Sequence, residues 1–196
     1  MRVVVILAHP SPDSYVHALA HEALRASTEA GHDTALLDLC GESFVAAMSA
    51  EEWRAYPTDS PIVDPQVRAH AELIRAADAL VFVYPTWWSG LPSVLKGWMD
   101  RVLVAGVGFR FDARGKVRPA LTNVRHIVVV TTSGSKGLYI KLINDNGRRV
   151  LCRALRLSTG LRTKITFHAL RGVHNTTDEQ RERFLQRVAK TAARLK

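Results

Sequence analysis

Runs rich in Val, Ile and Leu occur in three of five short strand-like segments of this chain of 196 residues, and segments with helical spacing separate the five. Runs that are apolar at every position are typical of strands covered on both faces of a sheet. Strands that alternate with helices favour a parallel sheet, because parallel neighbours need a crossover connection. The predicted strands are Arg2–Ala8, Thr34–Leu39, Ala79–Tyr84, Val124–Thr131 and Lys164–Ala169.

Helix signals fill the intervals between these strands. Apolar residues at helical spacing, closed by Gly31, predict a first helix over Ser14–Ala30. Asp64 followed by Pro65 pairs an N-cap with a proline at the first helical position, which predicts a helix as far as Ala77. The remaining predictions are an irregular Cys40–Val63 segment, a helix from Pro92, a helical region through roughly Leu157, and a last helix that begins at a Thr176-x-x-Glu179 capping box.

The number of these units selects a topology. Five strands with right-handed crossovers commonly take the order 2-1-3-4-5 of a doubly wound sheet. The predicted fold class is therefore α/β, a flavodoxin-like three-layer sandwich in which helices cover both faces of a five-stranded parallel sheet, with residues 1–196 as one domain. Such sheets bind ligands beyond the carboxyl ends of the strands, where the order reverses. The loops after the first, third and fourth strands are therefore the candidate site.

Composition excludes several classes of protein. No apolar run approaches the ~20 residues of a membrane helix, so no integral membrane segment is expected. Cys40 and Cys152 form neither a disulfide framework nor a metal knuckle, which favours the reducing cytoplasm. A net charge of +9 favours anionic partners, but no nucleic-acid module accompanies the basic residues, so no nucleic acid is expected. His17 and His21 lie one turn apart without a third ligand, so no metal is expected.

The first candidate loop, His9-Pro10-Ser11-Pro12-Asp13-Ser14-Tyr15, ends where a helix begins. Asp13 or Ser14 can cap that helix, and the N–H groups at a helix N-terminus bind anions. His9 adds a donor beside them. The loop therefore predicts an anion site, and the alternative interpretation is a plain turn with a half-buried histidine.

Of the other two loops, one carries flat aromatic side chains and the other carries small polar residues. Residues 84–92, YPTWWSGLP, place Trp87 beside Trp88, and side chains of successive residues cannot both enter one core. At least one indole is therefore expected to face a cleft and to suit a flat ligand, unless the pair belongs to an interface or a core. Residues 131–139, TTSGSKGLY, offer hydroxyls and glycines without P-loop spacing, although a plain polar turn would look similar. Together the three loops predict a flat ligand with an anionic tail, such as a flavin nucleotide.

Four stretches match one family. They are YPTWWSGLPSVLKGWMDRVLVAGVGFRF at 84–111, AHPSPDSYVHAL near the start, TTSGSKGLY, and the His-Asn-Thr-Thr run before the last helix. In these stretches the chain resembles the NAD(P)H:quinone oxidoreductases of the flavodoxin-like group. The resemblance implies an NAD(P)H dehydrogenase (quinone) that passes a hydride from NAD(P)H through flavin N5 to a quinone-like acceptor. Because both substrates would use one pocket, ping-pong kinetics are expected. FAD is the expected cofactor, with FMN as the alternative.

The resemblance also assigns roles to individual residues. The cofactor-binding residues that it implies are His9, Ser14 and Tyr15 for the ribityl and phosphate groups, Pro85, Thr86, Trp87, Trp88 and Ser89 for the isoalloxazine wall, and Thr131, Thr132, Ser133, Gly134 and Tyr139 for the hydrogen-bonding edge.

Substrate-binding and catalytic roles follow from the same resemblance. Tyr139 is the implied catalytic residue, and Trp88, Phe109 and Phe111 are the implied substrate contacts. Phe109 and Phe111 match aromatics that cap the partner subunit's site in the family, which implies a homodimer with shared active sites.

Two positions depart from the family pattern. Val16 stands where the family often has Asn, which removes one polar contact. Asn144-Asp145 stands where the best-known members place a His beyond the active-site Tyr, so Tyr139 and backbone donors would assist the reduced flavin without it. Two other functions stay open. One is a flavin-binding ancillary subunit of a potassium-efflux system, and the other is a basic nucleic-acid binder that would be colourless when purified.

Overall fold

A computed structural model of the chain describes residues 1–142 and 145–196. The strands are β1 (Arg2–Leu7), β2 (Asp33–Asp38), β3 (Ala79–Pro85), β4 (Phe109–Phe111), β5 (Val117–Pro119), β6 (His126–Ser133) and β7 (Lys164–Arg171). The main sheet is parallel with the order β2-β1-β3-β6-β7, while β4 and β5 form an antiparallel hairpin outside it. Counted within the main sheet, this is the order 2-1-3-4-5, which confirms the predicted fold class.

Helices cover both faces of this sheet. They are α1 (Tyr15–Glu29), α2 (Ala50–Ala55), α3 (Pro65–Ala76), α4 (Ser93–Val102), α5 (Gly137–Leu142), α6 (Asn146–Arg149), α7 (Leu155–Thr159) and α8 (Asp178–Ala193). A π-helical turn over Val150–Ala154 joins α6 to α7, and a 3-10 turn over Val173–Asn175 precedes α8. Across the described ranges, every helix is too short or too polar to span a bilayer.

The apolar runs of β1, β3 and β6 are buried because these central strands of the sheet face a layer of helices on either side. In β1, Val4 belongs to the cluster that contains Trp98 of α4. The neighbouring Val5 points to the opposite face and belongs to the cluster of α1 and Phe184 of α8. Each fully buried aliphatic side chain stabilises the fold by about 1.5–3 kcal/mol relative to an exposed one. This two-sided burial is what the continuous Val/Ile/Leu runs predicted.

The segment Cys40–Val63, predicted to be irregular, contains the short helix α2. Ser49 caps this helix, accepting from the Glu52 backbone N–H, and the Glu52 carboxylate accepts from the backbone N–H of Ser49. That reciprocal capping box stabilises a helix too short to display an apolar period. The prediction for this segment was therefore wrong in part.

The predicted capping box of the last helix lies one residue later than expected. Thr177 is the N-cap of α8 and forms the box with Gln180, in place of Thr176 with Glu179. The hydroxyl of Thr176 instead donates to the Val173 carbonyl at 2.8 Å, which closes the preceding 3-10 turn. Because that hydroxyl is already used, Thr177 takes the capping role.

The helical region predicted through Leu157 is divided into several pieces. Asp145 has a left-handed backbone with φ of 31° and caps α6, which starts a new helix after α5. The hairpin of β4 and β5 was not predicted at all. Its strands are three residues each, too short for a period of two to be visible in the sequence.

A buried ion network anchors α4, the helix that follows the tryptophan loop. Arg101 donates from Nε to Glu52 Oε1 at 2.7 Å and from Nη2 to Asp64 Oδ2 at 2.7 Å. On the same helix, a Cβ at Gly97 would lie 2.1 Å from the Ala46 carbonyl oxygen, so only glycine allows this approach. These contacts hold the middle and the C-terminal end of α4 against the irregular segment.

Candidate functional site

A cavity of about 350 Å³ opens at the carboxyl ends of β1, β3 and β6, where the strand order reverses. We call it the switch-point cavity. Its lining residues are His9, Ser14, Tyr15, Val16, Pro85, Thr86, Trp87, Thr132, Ser133, Gly134, Val173, His174 and Arg181. All three loops selected by the topology therefore meet in one place, although they are distant in sequence.

Two predicted site residues lie close to the cavity without lining it. Thr131 is buried, and its hydroxyl lies 2.9 Å from the hydroxyl of Thr86, so it holds a residue that does line the cavity. Ser89 lies in the turn that follows Trp87.

Four other predicted residues are not among those that line the cavity. Trp88 is fully exposed, and Tyr139 is half exposed on α5. Phe109 and Phe111 line a different cavity, together with Tyr56, so this chain does not bring them to its own switch-point cavity.

The tryptophan loop is a strained turn. The backbone N–H of Trp87 donates to the Gly90 carbonyl and that of Gly90 donates to Trp87, at 3.3 and 2.9 Å. Between them, Trp88 and Ser89 have φ of 46° and 61°. Two successive left-handed residues are typical of a type I′ turn, which normally uses Asn and Gly. Each left-handed L-residue costs roughly 1–2 kcal/mol, and such strain is concentrated at functional sites.

This turn separates the two indoles. Trp87 is 45% exposed, and its ring centroid lies 6.0 Å from that of His9, at the cavity. Trp88 is 101% exposed and points into solvent. Neither indole enters the core, so the expectation that at least one would face a cleft is met by Trp87.

We expect the Ser89→Gly variant to be more stable than the parent protein by about 1 kcal/mol, because glycine adopts a positive φ without steric cost. Chemical denaturation measures the free energy of unfolding. Ser60→Gly is the matched control, because Ser60 is exposed and is not among the positive-φ residues. That variant is expected to be slightly less stable, since glycine adds entropy to the unfolded chain. A loss of stability in Ser89→Gly would contradict the assignment of strain.

The first loop presents donors at the start of α1. Ser14 is the N-cap, and its hydroxyl accepts from the His17 backbone N–H at 3.2 Å. Partial burial lowers the pKa of His9 and outweighs the hydrogen bond with the Ser11 backbone, which raises it, so the neutral ring is favoured at pH 7. The Nδ1 atom of His9 accepts from the Ser11 backbone N–H at 3.1 Å when the ring proton is on Nε2, and it donates to the Ser11 carbonyl oxygen at 3.2 Å when the proton is on Nδ1. His9 therefore offers one N–H donor without a charge.

Arg181 supplies the positive charge that the sequence interpretation missed. Its guanidinium lines the cavity and donates to the Thr176 hydroxyl at 3.1 Å and to the Val173 carbonyl at 3.3 Å. The Tyr15 hydroxyl donates to the Arg181 carbonyl at 2.6 Å and joins α8 to the first loop. Burial raises the pKa of Tyr15 to about 12, so this hydroxyl stays protonated. The nearest carboxylate, Asp178, is fully exposed at 3.8 Å.

One feature of the sequence could have identified Arg181 as an anion-binding residue. It lies four residues after the N-cap Thr177, near a helix end where the macrodipole disfavours cations. A cation in such a position indicates a compensating anion.

His174 lies within the His-Asn-Thr-Thr stretch, to which the sequence assigned no role. A Cβ at Gly134 would lie 3.1 Å from the His174 ring. Glycine there lets the two loops approach closely.

The lining residues fit a flavin nucleotide. Arg181, His9 and the capped start of α1 supply donors for an anionic group, and Trp87 with Pro85 supplies an apolar wall. Asn144, one of the two departures from the family pattern, lies outside the described residues, while Asp145 caps α6.

Comparison with known proteins agrees with this geometry. A family model described as the flavodoxin-like fold matches residues 1–192. The chain belongs to this flavodoxin-like family. Within it, the chain is similar to rat NAD(P)H dehydrogenase [quinone] 1, with 29% identity over 153 residues that cover 70% of this chain and 56% of the rat protein. The resemblance inferred from the motifs is thus confirmed, although the chain spans little more than half of that relative.

Two full-length likenesses extend the comparison. An uncharacterised NAD(P)H oxidoreductase from Haemophilus influenzae is 27% identical over 198 residues, which cover 100% of this chain and 96% of that one. The solved structure of NAD(P)H:quinone oxidoreductase from Methanothermobacter marburgensis has a TM-score of 0.86 at 29% identity, covering 100% of this chain and 99% of that chain. The chain therefore shares its overall fold with that solved structure along its whole described length.

Proposed function

We propose that residues 1–196 form one flavin-binding domain that acts as an NAD(P)H oxidoreductase with a quinone-like acceptor. The observation that carries this proposal is the convergence of three loops on the switch-point cavity, with an anion-binding end and an aromatic wall. The names of the flavodoxin-like relatives support the reaction class.

Side chains at one end of the cavity would bind the flavin's phosphate and ribityl groups. Arg181 contributes a guanidinium that can form charge-assisted hydrogen bonds, and His9 contributes a neutral N–H donor. Ser14 organises the N–H groups at the start of α1. FAD and FMN share these groups, and we propose FAD as the cofactor with FMN as the alternative.

The remaining lining residues would hold the isoalloxazine. Trp87 and Pro85 form the wall, and Thr86 is held in place by its contact with Thr131. Ser133 and Gly134 line the cavity from the opposite loop, and their backbone N–H groups would stabilise a developing negative charge. When bound, the flavin supplies the two-electron chemistry, accepting a hydride at N5 and passing it to the acceptor.

Trp88 is suited to a transient ligand, because its whole indole is exposed and it directly follows Trp87, which lines the cavity. A nicotinamide ring and a quinone are both flat and would occupy the same slot in turn. One slot for two substrates requires the first product to leave before the second substrate enters, so we expect ping-pong kinetics. NAD(P)H binds without a dinucleotide motif of its own, since no G-x-G-x-x-G follows a strand in the sequence.

We expect Tyr139→Phe to lower the turnover rate while flavin content is unchanged. The Tyr139 side chain is half exposed on α5 and does not line the cavity, so it can serve the reaction without being needed to retain the cofactor. The change removes the Tyr139 hydroxyl, a donor that would stabilise the negative charge on the reduced flavin. Loss of one hydrogen bond to a charged group costs about 1.5–3 kcal/mol, which corresponds to about tenfold or more in rate. Stopped-flow reduction by NADH measures the rate. An unchanged rate would remove Tyr139 from the mechanism.

A second copy of the chain would complete the site. Phe111 is mostly exposed on the β4–β5 hairpin, with Phe109 packed edge-on against it at 5.6 Å between ring centroids. A partly exposed aromatic pair on a hairpin outside the main sheet can cover a cavity on another molecule. We propose a homodimer in which each hairpin caps the partner's switch-point cavity.

Steady-state kinetics with purified protein test the function. Oxidation of NADH or NADPH is followed while a benzoquinone is varied, and parallel double-reciprocal lines are expected for a ping-pong reaction. Turnover that requires added flavin in a stripped sample supports the proposal. A flavin-loaded protein with no turnover on any quinone would instead favour the ancillary-subunit alternative.

A further inference from the structure

A second cavity, of about 600 Å³, lies next to the loop that follows β6. We call it the arginine cavity, because its lining includes Arg148, Arg149, Arg153, Arg156 and Arg171. Asp145 is the one carboxylate among the lining residues that the structure describes.

The positive charge around this cavity is poorly neutralised. Between residues 113 and 177, the sequence has thirteen Lys or Arg residues and Asp145 as its one acidic residue. Asp145 Oδ2 lies 3.9 Å from Arg171 Nη2, a long contact. Within the described ranges, no carboxylate lies within salt-bridge distance of Arg148, Arg149, Arg153 or Arg156. Clustered like charges destabilise a fold, and an anionic ligand would relieve that cost.

Two of these guanidinium groups are held in position by the protein. The Arg148 guanidinium lies 5.0 Å from the ring centroid of Phe167, a cation–π contact. Arg156 donates from Nη2 to the Leu161 carbonyl at 2.6 Å, while its buried Nε–H has no partner among the described residues. A buried donor without a partner is costly, so this N–H is a second indication of a missing acceptor.

Arg149 and Arg153 are exposed and lie four residues apart across the π-helical turn. Turns of this kind occur frequently at functional sites. Guanidinium groups match the geometry of phosphate oxygens, to which they donate in pairs. The cavity therefore combines two arginines held in place with two that are free to bind a phosphate.

The arginine cavity is next to the proposed hydride-transfer slot. Its lining residue Gly137 begins α5, the helix that carries Tyr139. At the start of α6, the Asn146 backbone N–H donates to the Ser89 carbonyl at 3.2 Å, which places this helix against the strained tryptophan turn. A ligand that extends from that turn would reach the arginines.

We infer that the arginine cavity binds the phosphate groups of the reductant, and that it favours a dinucleotide with a 2′-phosphate, as in NADPH, over NADH. This inference rests on the proposed function for the placement of the nicotinamide. NADPH differs from NADH only by its 2′-phosphate, which is a dianion. A site with five guanidinium groups and one carboxylate favours the ligand that carries this extra negative charge.

Calorimetry with adenosine 2′,5′-bisphosphate and adenosine 5′-monophosphate tests the site without any redox chemistry. We expect the parent protein to bind the bisphosphate more tightly, and Arg149→Gln/Arg153→Gln to weaken that binding about tenfold. Arg162→Gln is the matched control, because Arg162 is exposed in the same basic tract but does not line the cavity. The control is expected to stay within about twofold of the parent value.

Kinetics give the second readout. In the double variant, the KM for NADPH is expected to rise about tenfold, the KM for NADH to rise less, and kcat to change little. The two proposals can fail separately. If the parent protein binds the bisphosphate but shows no turnover, and the double variant loses that binding, the phosphate site stands and the proposed function fails. Bisphosphate binding that is absent in the parent, or equal in the double variant and the control, would overturn the inference.

Discussion

Replacement of Arg181 by Ala is expected to reduce flavin affinity about 10- to 100-fold. Its guanidinium lines the switch-point cavity, and its two contacts, with Thr176 and Val173, hold it in place. A charge-assisted hydrogen bond contributes about 1.5–3 kcal/mol, which corresponds to that range of affinity. Fluorescence titration of the flavin-free protein with FAD and with FMN measures the change, since bound flavin emission differs from free flavin emission.

Arg183→Ala is the matched control for this prediction. Arg183 lies two residues away on α8, but its side chain is mostly exposed and pairs at the surface with Glu179. Surface pairs of this kind contribute little, about 0–1 kcal/mol. If the Arg181 variant loses flavin and the Arg183 variant retains it, the Arg181 side chain contacts the flavin directly. Equal affinities in the two variants would remove Arg181 from the site.

Replacement of Trp88 by Ala is expected to lower kcat/KM for NAD(P)H about 5- to 100-fold. The exposed indole offers a stacking surface for a flat ring, and stacking on an aromatic side chain contributes about 1–3 kcal/mol in related settings. The stability of the variant should change little, because Trp88 is 101% exposed and has no core contacts to lose.

Trp53→Ala provides the comparison. Trp53 is 68% exposed, stacks on Tyr56 and does not line the switch-point cavity. Neither its flavin content nor its kcat/KM is expected to change. If both tryptophan variants behave alike in flavin content and in rate, the slot has been placed on the wrong side of the molecule.

Much of the fold could be predicted because its signals are local or topological. The buried strands show as continuous Val/Ile/Leu runs, and Asp64 with Pro65 marks the start of α3 as expected. The 2-1-3-4-5 order followed from a rule about crossover connections. Because that rule also states where ligands bind, the sequence alone directed attention to the loops at His9, Trp87 and Ser133.

Features that the sequence did not reveal depend on contacts between distant residues. Tyr15 meets Arg181 across 166 positions, so the charge in the cavity had no local pattern to mark it. The tryptophan pair predicted one indole at a cleft but not which one, because the type I′ turn that decides it uses residues that rarely form such turns. The capping box moved by one residue because Thr176 is engaged by Val173. Each of these outcomes depends on three-dimensional packing.

The visible absorption spectrum of the purified protein tests the central claim most directly. A flavin spectrum is expected, with FAD or FMN released on denaturation in an amount equimolar with the chain and identified by chromatography. A sample purified without flavin should regain that spectrum when FAD or FMN is added, and the Arg181→Ala variant should require more of it. A colourless protein that binds neither flavin saturably would contradict the assignment of the switch-point cavity.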